Sequence, residues 1–360
     1  MTPLESRIAA LRDPEAGLTL AETGARIRAA ASEGHVAVAI TLGYPAQRWR
    51  DGLRDAVGGL VAAEGLALAS LEVQHRIDAH APQGELTPLP RIRNVIAVGS
   101  GKGGVGKSTT AVNLALALAQ EGARVGVLDA DVYGPSIPMM LGLTGKPDSP
   151  DGKSIEPMRA HGVDAMSIGL MVEQDTPMIW RGPMATSALT QLLEQTLWGS
   201  DGQLDYLIVD LPPGTGDIQL TLAQKIPVAG AVVVTTPQDV ATLDARKALR
   251  MFEKVHVPVL GLVENMAVHV CSNCGHVEHI FGQDGGRRMA AEYGMDHLGS
   301  LPLDLGIREQ ADSGKPTVVA DPDGPVAAIY RDIARKVAGR LSMQARNKAI
   351  AFPSIVVQNT

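Results

Sequence analysis

Only two cysteines, Cys271 and Cys274, occur in the 360 residues, too few for the disulfide framework that staples small secreted domains. Aromatic residues make up 3% of the chain, so its core has to be filled by Ala, Val, Leu, Ile and the 13 methionines. No segment approaches the roughly 18 uncharged apolar residues that span a bilayer. The N-terminus MTPLESRIAALRDPEAG also lacks the apolar stretch behind a basic start that marks a signal peptide. Positive charge is not in excess: the formal net charge is −7, which offers no basic footprint to nucleic acid or an anionic membrane. These absences predict a soluble, cytoplasmic protein with neither nucleic-acid nor membrane partners. What is present is ordinary for a globular enzyme, with 45% hydrophobic and 20% charged residues and 39 glycines available for loops.

The spacing of apolar positions divides the chain. Residues 4–33 carry two helical patterns, the second being LAETGARIRAAASEG. HVAVAITL (35–42) alternates like a strand, 47–64 is helical, and a second strand falls around 66–77. Residues 1–80 are therefore expected to form a small α+β unit of order ααβαβ. Pro82, Pro88 and Pro90 disfavour helix and ladder pairing and mark 81–93 as a proline-rich linker. From residue 94 the pattern changes to continuous Val/Ile/Leu runs: VIAVGS (95–100), RVGVLDA (124–130), YLIVDL (206–211), GAVVVTT (230–236) and VLGLVENM (259–266). Continuous runs mean strands buried on both faces. Residues 94–346 thus predict an α/β domain with a mostly parallel sheet flanked by helices and its working loops at the carboxyl ends of the strands. A last helix is expected over 323–346, and 347–360 form a tail.

Directly after the strand at 95–100 stands GSGKGGVGKSTT, which satisfies G-x-x-x-x-G-K-[ST] in the strand-then-helix context that a phosphate-binding P-loop requires. Gly101, Lys102, Gly103, Gly104, Val105, Gly106, Lys107, Ser108 and Thr109 are the candidate ATP-binding residues. The glycines let backbone amides turn toward phosphate oxygens, and the following helix adds its dipole. Lys107 is expected to meet the β- and γ-phosphates and the Ser108 hydroxyl to ligate Mg²⁺. Asp210, which ends YLIVD, is placed to hold Mg²⁺ through water, with Gly214 and Gly216 of LPPGTGD approaching the γ-phosphate. Asp129 and Asp131 close the strand at 124–130, and Asp131 is the candidate for ordering the attacking water. Asp217 reads equally as a helix cap.

Cys271-Ser-Asn-Cys274 follows the strand at 259–266. Two thiolates at this spacing can grip one metal ion, form a redox disulfide, or supply half the ligands of an iron–sulfur cluster. Zinc needs four ligands, and His276 and His279 in CSNCGHVEH can complete such a set within one chain. A cubane cluster needs four thiolates, so here it requires two subunits.

The sequence KGGVGKST resembles the deviant Walker A loop of the SIMIBI class of P-loop ATPases, MinD and ParA among them, which implies that Lys102 reaches the nucleotide of a partner subunit. DADVYGPSIP, IWRGPM (179–184), DYLIVDLPPGTGD, VENM (263–266), the Cys-x-x-Cys and LPLD-x-x-IRE (301–309) occur in the order and spacing of the Mrp/ApbC family. The resemblance spans about residues 94–340, and residues 1–80 more weakly resemble the iron–sulfur-assembly domain often fused to such ATPases. Many such domains have a cysteine after their first strand, where this chain reads TLGYPAQ. The resemblance implies a slow ATPase that carries a [4Fe–4S] cluster bridged by Cys271 and Cys274 across a homodimer. It would receive the cluster from scaffold proteins and deliver it to apo-proteins. Asn265 is then assigned to the adenine edge, Met178, Met184 and Met266 to packing, and Arg181 to no role. Three other readings stand beside it: a MinD/ParA-like spatial organiser, a P-loop ATPase with a structural zinc site, and a small-molecule kinase. The uncharged, proline-interrupted tail gives the first of these no membrane-binding helix.

Overall fold

The computed structural model describes residues 1–84, 86–171 and 182–345. The expected tail lies outside them, as do Met178 and Arg181.

The N-terminal part contains α1 (Pro3–Ala9), β1 (Arg26–Ser32), β2 (His35–Leu42), α2 (Arg50–Ala63) and β3 (Ala67–His75). The order is therefore αββαβ, and the second expected helix is largely a strand. Glu33 and Gly34 both take positive φ, 49° and 79°, a two-residue turn whose twist suits a hairpin. It folds RIRAAAS back onto β2 with Ser32 opposite His35 and Arg26 opposite Thr41. The alanines favour helix in isolation, but strand pairing overrides that weak preference. The parallel β2–β3 pair is joined by α2, whose Leu53, Val57 and Val61 cover the buried side of β2, Val36, Val38 and Ile40.

The remainder contains β4 (Ile92–Ser100), α3 (Lys107–Gln120), β5 (Val125–Asp129), α4 (Ile137–Met140), β6 (Met158–Ala160), β7 (Val163–Ser167) and α5 (Gly182–Gln195). It continues through β8 (Leu204–Asp210), α6 (Asp217–Lys225), β9 (Gly230–Thr235), α7 (Asp239–Lys254), β10 (Val259–Glu264), β11 (His269–Val270) and β12 (Val277–Glu278). It ends with α8 (Gly285–Glu292), β13 (His297–Ser300), α9 (Leu305–Asp312), α10 (Thr317–Ala320) and α11 (Pro325–Ser342). Eight strands form one sheet in the order β13-β10-β9-β4-β8-β5-β7-β6, parallel throughout except for β6, which runs antiparallel to β7 at the edge. All five predicted strands are present. The sequence pattern missed β6, β7 and β13, which are short and, in VDAMS and HLGS, interrupted by polar residues or glycine. The chain leaves β4 for β5 on one side and later returns past it from β8 to β9 on the other. The carboxyl end of β4 is thus a topological switch point, where α/β sheets bind ligands.

The segment expected as a linker is docked rather than free. Ile92 and Arg93 already belong to β4, and the buried Gln83 side chain donates to the carbonyls of Ala223 and Ile226 at 2.6 and 2.8 Å. One continuous apolar cluster runs from Ile8 of α1 and Val38 of β2 through Leu114 of α3 to Val337 of α11. Within this contact Arg335 is buried and donates to Asp13 at 2.7 Å, Tyr44 donates to the same carboxylate at 2.5 Å, and the guanidinium lies 5.7 Å from the centre of the Trp49 ring. Burial pulls the Arg335 pKa down while Asp13 opposes that shift. A charged group in so dry a place keeps its charge by being paired.

Candidate functional site

The loop after β4 is shaped by its glycines. Gly104 and Gly106 have φ of 77° and 82°, a region costly for any residue with a Cβ, and Gly106 is the N-cap of α3. A Cβ at Gly101 would fall 2.1 Å from backbone atoms of Asp244, so that glycine lets the loop lie directly on α7. The loop and the first turn of α3 border an open cleft of about 480 Å³, lined by Lys102, Gly103, Ser108, Thr109, Ser136 and Pro213 among others. It has the backbone donors and dipole of an anion site.

Lys107 is 6% exposed. Its Nζ donates to Asp210 Oδ1 at 2.6 Å and to Ser108 Oγ at 3.2 Å, and lies 3.9 Å from Asp131 Oδ2. Asp210 is wholly buried, and among the described residues its second oxygen, Oδ2, has no hydrogen-bond partner. Burial raises its pKa, against the pull of Lys107. Asp129, equally buried, accepts from the amides of Asp131 and Ile137, both at 3.1 Å, and from Ser167 Oγ at 3.0 Å. Its pKa is raised, first by burial and then by the charge of Asp210. Asp129 therefore holds the loop from Ala130 to Ile137, and Asp131, also buried, is the second strand-end carboxylate near Lys107. This anchoring role was not visible in the sequence, because Ser167 and Ile137 reach Asp129 only through tertiary packing.

The structure brings the remaining predicted residues to the same end of the sheet. Gly214, at φ 95°, donates its amide to the Ser100 carbonyl at 3.0 Å and ties the loop after β8 to the P-loop. Asp217 is the first residue of α6, with Gly216 as the cap. Lys102 is half-exposed at the cleft rim and makes no ion pair among the described residues. Asn265 does not stand at an open edge: its carboxamide nitrogen donates to the Val105 carbonyl at 2.9 Å, against the P-loop backbone.

The cysteines occupy the tip of the β11–β12 hairpin. His269 pairs with Glu278 and Val270 with Val277. The Cys271 amide donates to the His276 carbonyl at 2.9 Å, and the Gly275 amide returns to the Cys271 carbonyl at 2.8 Å. Backbone amides of Asn273 and Cys274, then the Cys274 thiol, lower the Cys271 pKa, favouring the thiolate that binds metal. The two histidines do not complete a site. His279 Nδ1 is bonded to the Ala267 carbonyl at 3.1 Å, and His276 is exposed beside Glu278. Among the described residues no group of three or more His, Cys, Asp or Glu side chains is arranged to hold a metal ion. Nor is any of their helices long and apolar enough to cross a membrane.

Comparison with known proteins agrees with this geometry. The iron–sulfur cluster carrier protein of Pseudomonas fragi is 58% identical over 273 residues, covering 75% of this chain and 94% of its own. A nucleotide-binding protein of Archaeoglobus fulgidus, solved in complex with ADP, superposes with a TM-score of 0.57 at 38% identity, covering 66% of this chain and 91% of that one. MinD in the MinC:MinD complex of Aquifex aeolicus, at 21% identity and a TM-score of 0.50 over 68% of this chain and 96% of that one, shares the fold alone. A family of iron–sulfur cluster assembly proteins matches residues 4–65. The family described as NUBPL iron-transfer P-loop NTPases matches residues 91–338, most of the molecule, and the chain belongs to it.

Proposed function

We propose that this protein is a cytoplasmic ATPase that carries a [4Fe–4S] cluster, held between two copies of the chain, and transfers it from scaffold proteins to apo-proteins. The observation that carries the reading is the incomplete thiol site. Cys271 and Cys274 are presented together on an exposed hairpin, with no third ligand assembled beside them among the described residues. A cubane takes four cysteine ligands, and a twofold axis through the hairpin supplies two from each copy. Val270 and Val277 flank the thiols at 51% and 53% exposure, with Ile280 close behind in sequence at 54%. A second copy would cover this apolar surface. A structural zinc site would need His276 and His279 gathered with the thiols, and among the described residues no group of three or more such side chains is arranged to hold a metal ion.

In the nucleotide cleft, Lys107 is the mobile charge. Without nucleotide its counterion is Asp210; with ATP the β- and γ-phosphates take that place and Lys107 turns to them. The residues suit Mg²⁺, since Asp210 Oδ2 is a buried carboxylate oxygen without a partner and the Ser108 hydroxyl lies beside Lys107, both hard oxygen donors. Bound there, Mg²⁺ would neutralise charge on the transferred phosphoryl group. Asp131 orders the attacking water, the P-loop amides hold the phosphates, and Lys102 is free at the rim to reach the partner's nucleotide. The N-terminal unit serves as a brace: the turn after β2, with Tyr44, Pro45 and Ala46 all buried, faces the interior and not a cargo.

Anaerobic reconstitution with ferrous iron and sulfide tests this directly. About two irons per chain, in a dimer with the broad visible absorption of a cubane, are expected. Equal iron uptake by wild type and the Cys271→Ala/Cys274→Ala variant would remove the assignment.

A further inference from the structure

The segment between β10 and the cysteine hairpin is bound at one end to the P-loop and at the other leads into Cys271. Asn265 sits directly after β10, six residues before Cys271 in the sequence, a stretch that spans at most about 20 Å. Its Nδ2 donates to the Val105 carbonyl at 2.9 Å. A Cβ placed on Gly106 would lie 2.1 Å from the same nitrogen, so the loop and this side chain are in contact with no slack between them. The Asn265 amide is fixed in turn to the Thr235 carbonyl at 2.7 Å. Just before it, the buried Glu264 carboxylate accepts from the first amides of α8, Gly286 at 2.5 Å and Arg287 at 3.2 Å.

Beyond Asn265 the chain does not swing freely. Met266 adopts φ 56°, a left-handed turn that is strained for a side chain of its kind. The segment is then laced to residues 301–303: Leu301 donates to Glu264 at 2.8 Å, Ala267 to Leu301 at 2.9 Å, and Leu303 to Val268 at 2.8 Å. His279, just past the hairpin, closes back on the Ala267 carbonyl at 3.1 Å. Ala267, Val268 and His269 are thus each tied to Leu301 or Leu303, so the base of the hairpin is held by one ribbon that begins beside Asn265.

We propose that Asn265 is the positioning residue that couples nucleotide state to the grip on the cluster within a single subunit. Phosphate binding draws the loop amides inward and shifts the Val105 carbonyl. Asn265 follows that carbonyl, the Met266 turn converts the shift into rotation of the 267–270 ribbon, and the spacing of Cys271 and Cys274 relative to the partner's pair changes. A ligand moves an equilibrium only through differential contact with two states; the contact of phosphate with the loop supplies it, and the Asn265–Val105 hydrogen bond carries it toward the hairpin. The inference rests on the cluster-carrier reading and adds to it an internal route from P-loop to thiols.

The test uses the full-length protein, reconstituted anaerobically, with cluster loss to a ferrous chelator followed by visible absorption, with and without Mg-ATP. Each variant is assayed at ATP concentrations shown by titration to saturate it. In wild type the two rates should differ by about fivefold or more, within the usual range of coupling between sites. In Asn265→Ala the ratio should fall to about one, and Asn265→Asp, which keeps the size but loses the amide donor, should behave like the alanine variant. Met266→Gly leaves the Asn265 side chain in place and releases the turn; it should lower the ratio partway, and it carries the test if Asn265→Ala does not fold or bind ATP. A wild-type ratio of one, or a wild-type ratio retained in Asn265→Ala or, where that variant fails, in Met266→Gly, overturns the proposal while leaving the carrier function intact. Failure of the wild type to take up any cluster would overturn both.

Discussion

The nucleotide cleft and the cysteine hairpin lie on the same domain but are built on opposite principles. The buried charges of the cleft come from one chain: Lys107 is paired with Asp210, and Asp129 is held by the amides of Asp131 and Ile137 and by Ser167 of β7. The hairpin is short, polar at its tip and exposed, with its apolar residues facing solvent. A site that must act on a small ligand gains from preorganised, desolvated charge. One that must receive and surrender a cargo between subunits gains from an accessible position and from being incomplete alone. Changes in the cleft should therefore cost both activity and stability, whereas changes in the hairpin should cost cargo alone.

The largest effect is expected at the thiols. Cys271→Ser/Cys274→Ser should abolish iron uptake on reconstitution yet shift the unfolding free energy by no more than about 0.5 kcal/mol, as exposed substitutions do. A large loss of stability in the metal-free variant would break the comparison. Lys107→Ala should eliminate measurable ATP hydrolysis and, by leaving Asp210 as an unpaired buried carboxylate, destabilise the chain by about 3–5 kcal/mol. That deficit should shrink as pH falls. Without the ammonium, the Asp210 pKa rises further above its unfolded value, so protonation relieves the buried charge. Denaturant titrations from about pH 8 to about pH 5 would show the convergence, and a deficit independent of pH would count against the pairing.

Arg335→Met should cost about 3 kcal/mol because it strands Asp13 in the contact between the small sheet and α11. Unfolding is expected to remain a single transition, since the two parts share one apolar cluster. The smallest effect is reserved for the histidines: His276→Ala/His279→Ala should leave iron content per chain within error of wild type, and a halved content would revive the intrachain metal site.

Much of the cleft was legible beforehand because its chemistry is local. The strand–loop–helix around Gly101 to Thr109 carries its function in consecutive residues, and Asp210 announces itself by ending an apolar run. The hairpin was legible only as a spacing, since Cys271 and Cys274 name a pair without naming its complement. His276 and His279 are close enough in sequence to pass for ligands, and only the fold shows that, among the described residues, no group of three or more such side chains is gathered to hold a metal ion. The second helix was misread because alanine-rich RIRAAAS has no strong strand signal of its own; the Glu33-Gly34 turn and the partner β2 decide its state. Prolines in 81–93 show where the chain is extended but not whether that extended chain is docked, so the bonds of Gln83 to Ala223 and Ile226 had no signal in the sequence.

The sequence by itself determined the P-loop, the parallel sheet of continuous apolar runs and the arithmetic of two thiols, because each depends on residue types at short, fixed spacings. Only the tertiary structure decided that Asp129 anchors the loop from Ala130 to Ile137, that Asn265 bears on the P-loop backbone, and that the small sheet is fused to the ATPase core through Asp13 and Arg335. Those outcomes depend on residues distant in sequence meeting where water is excluded, as with Asp13 and Arg335, whose buried contact no local pattern encodes.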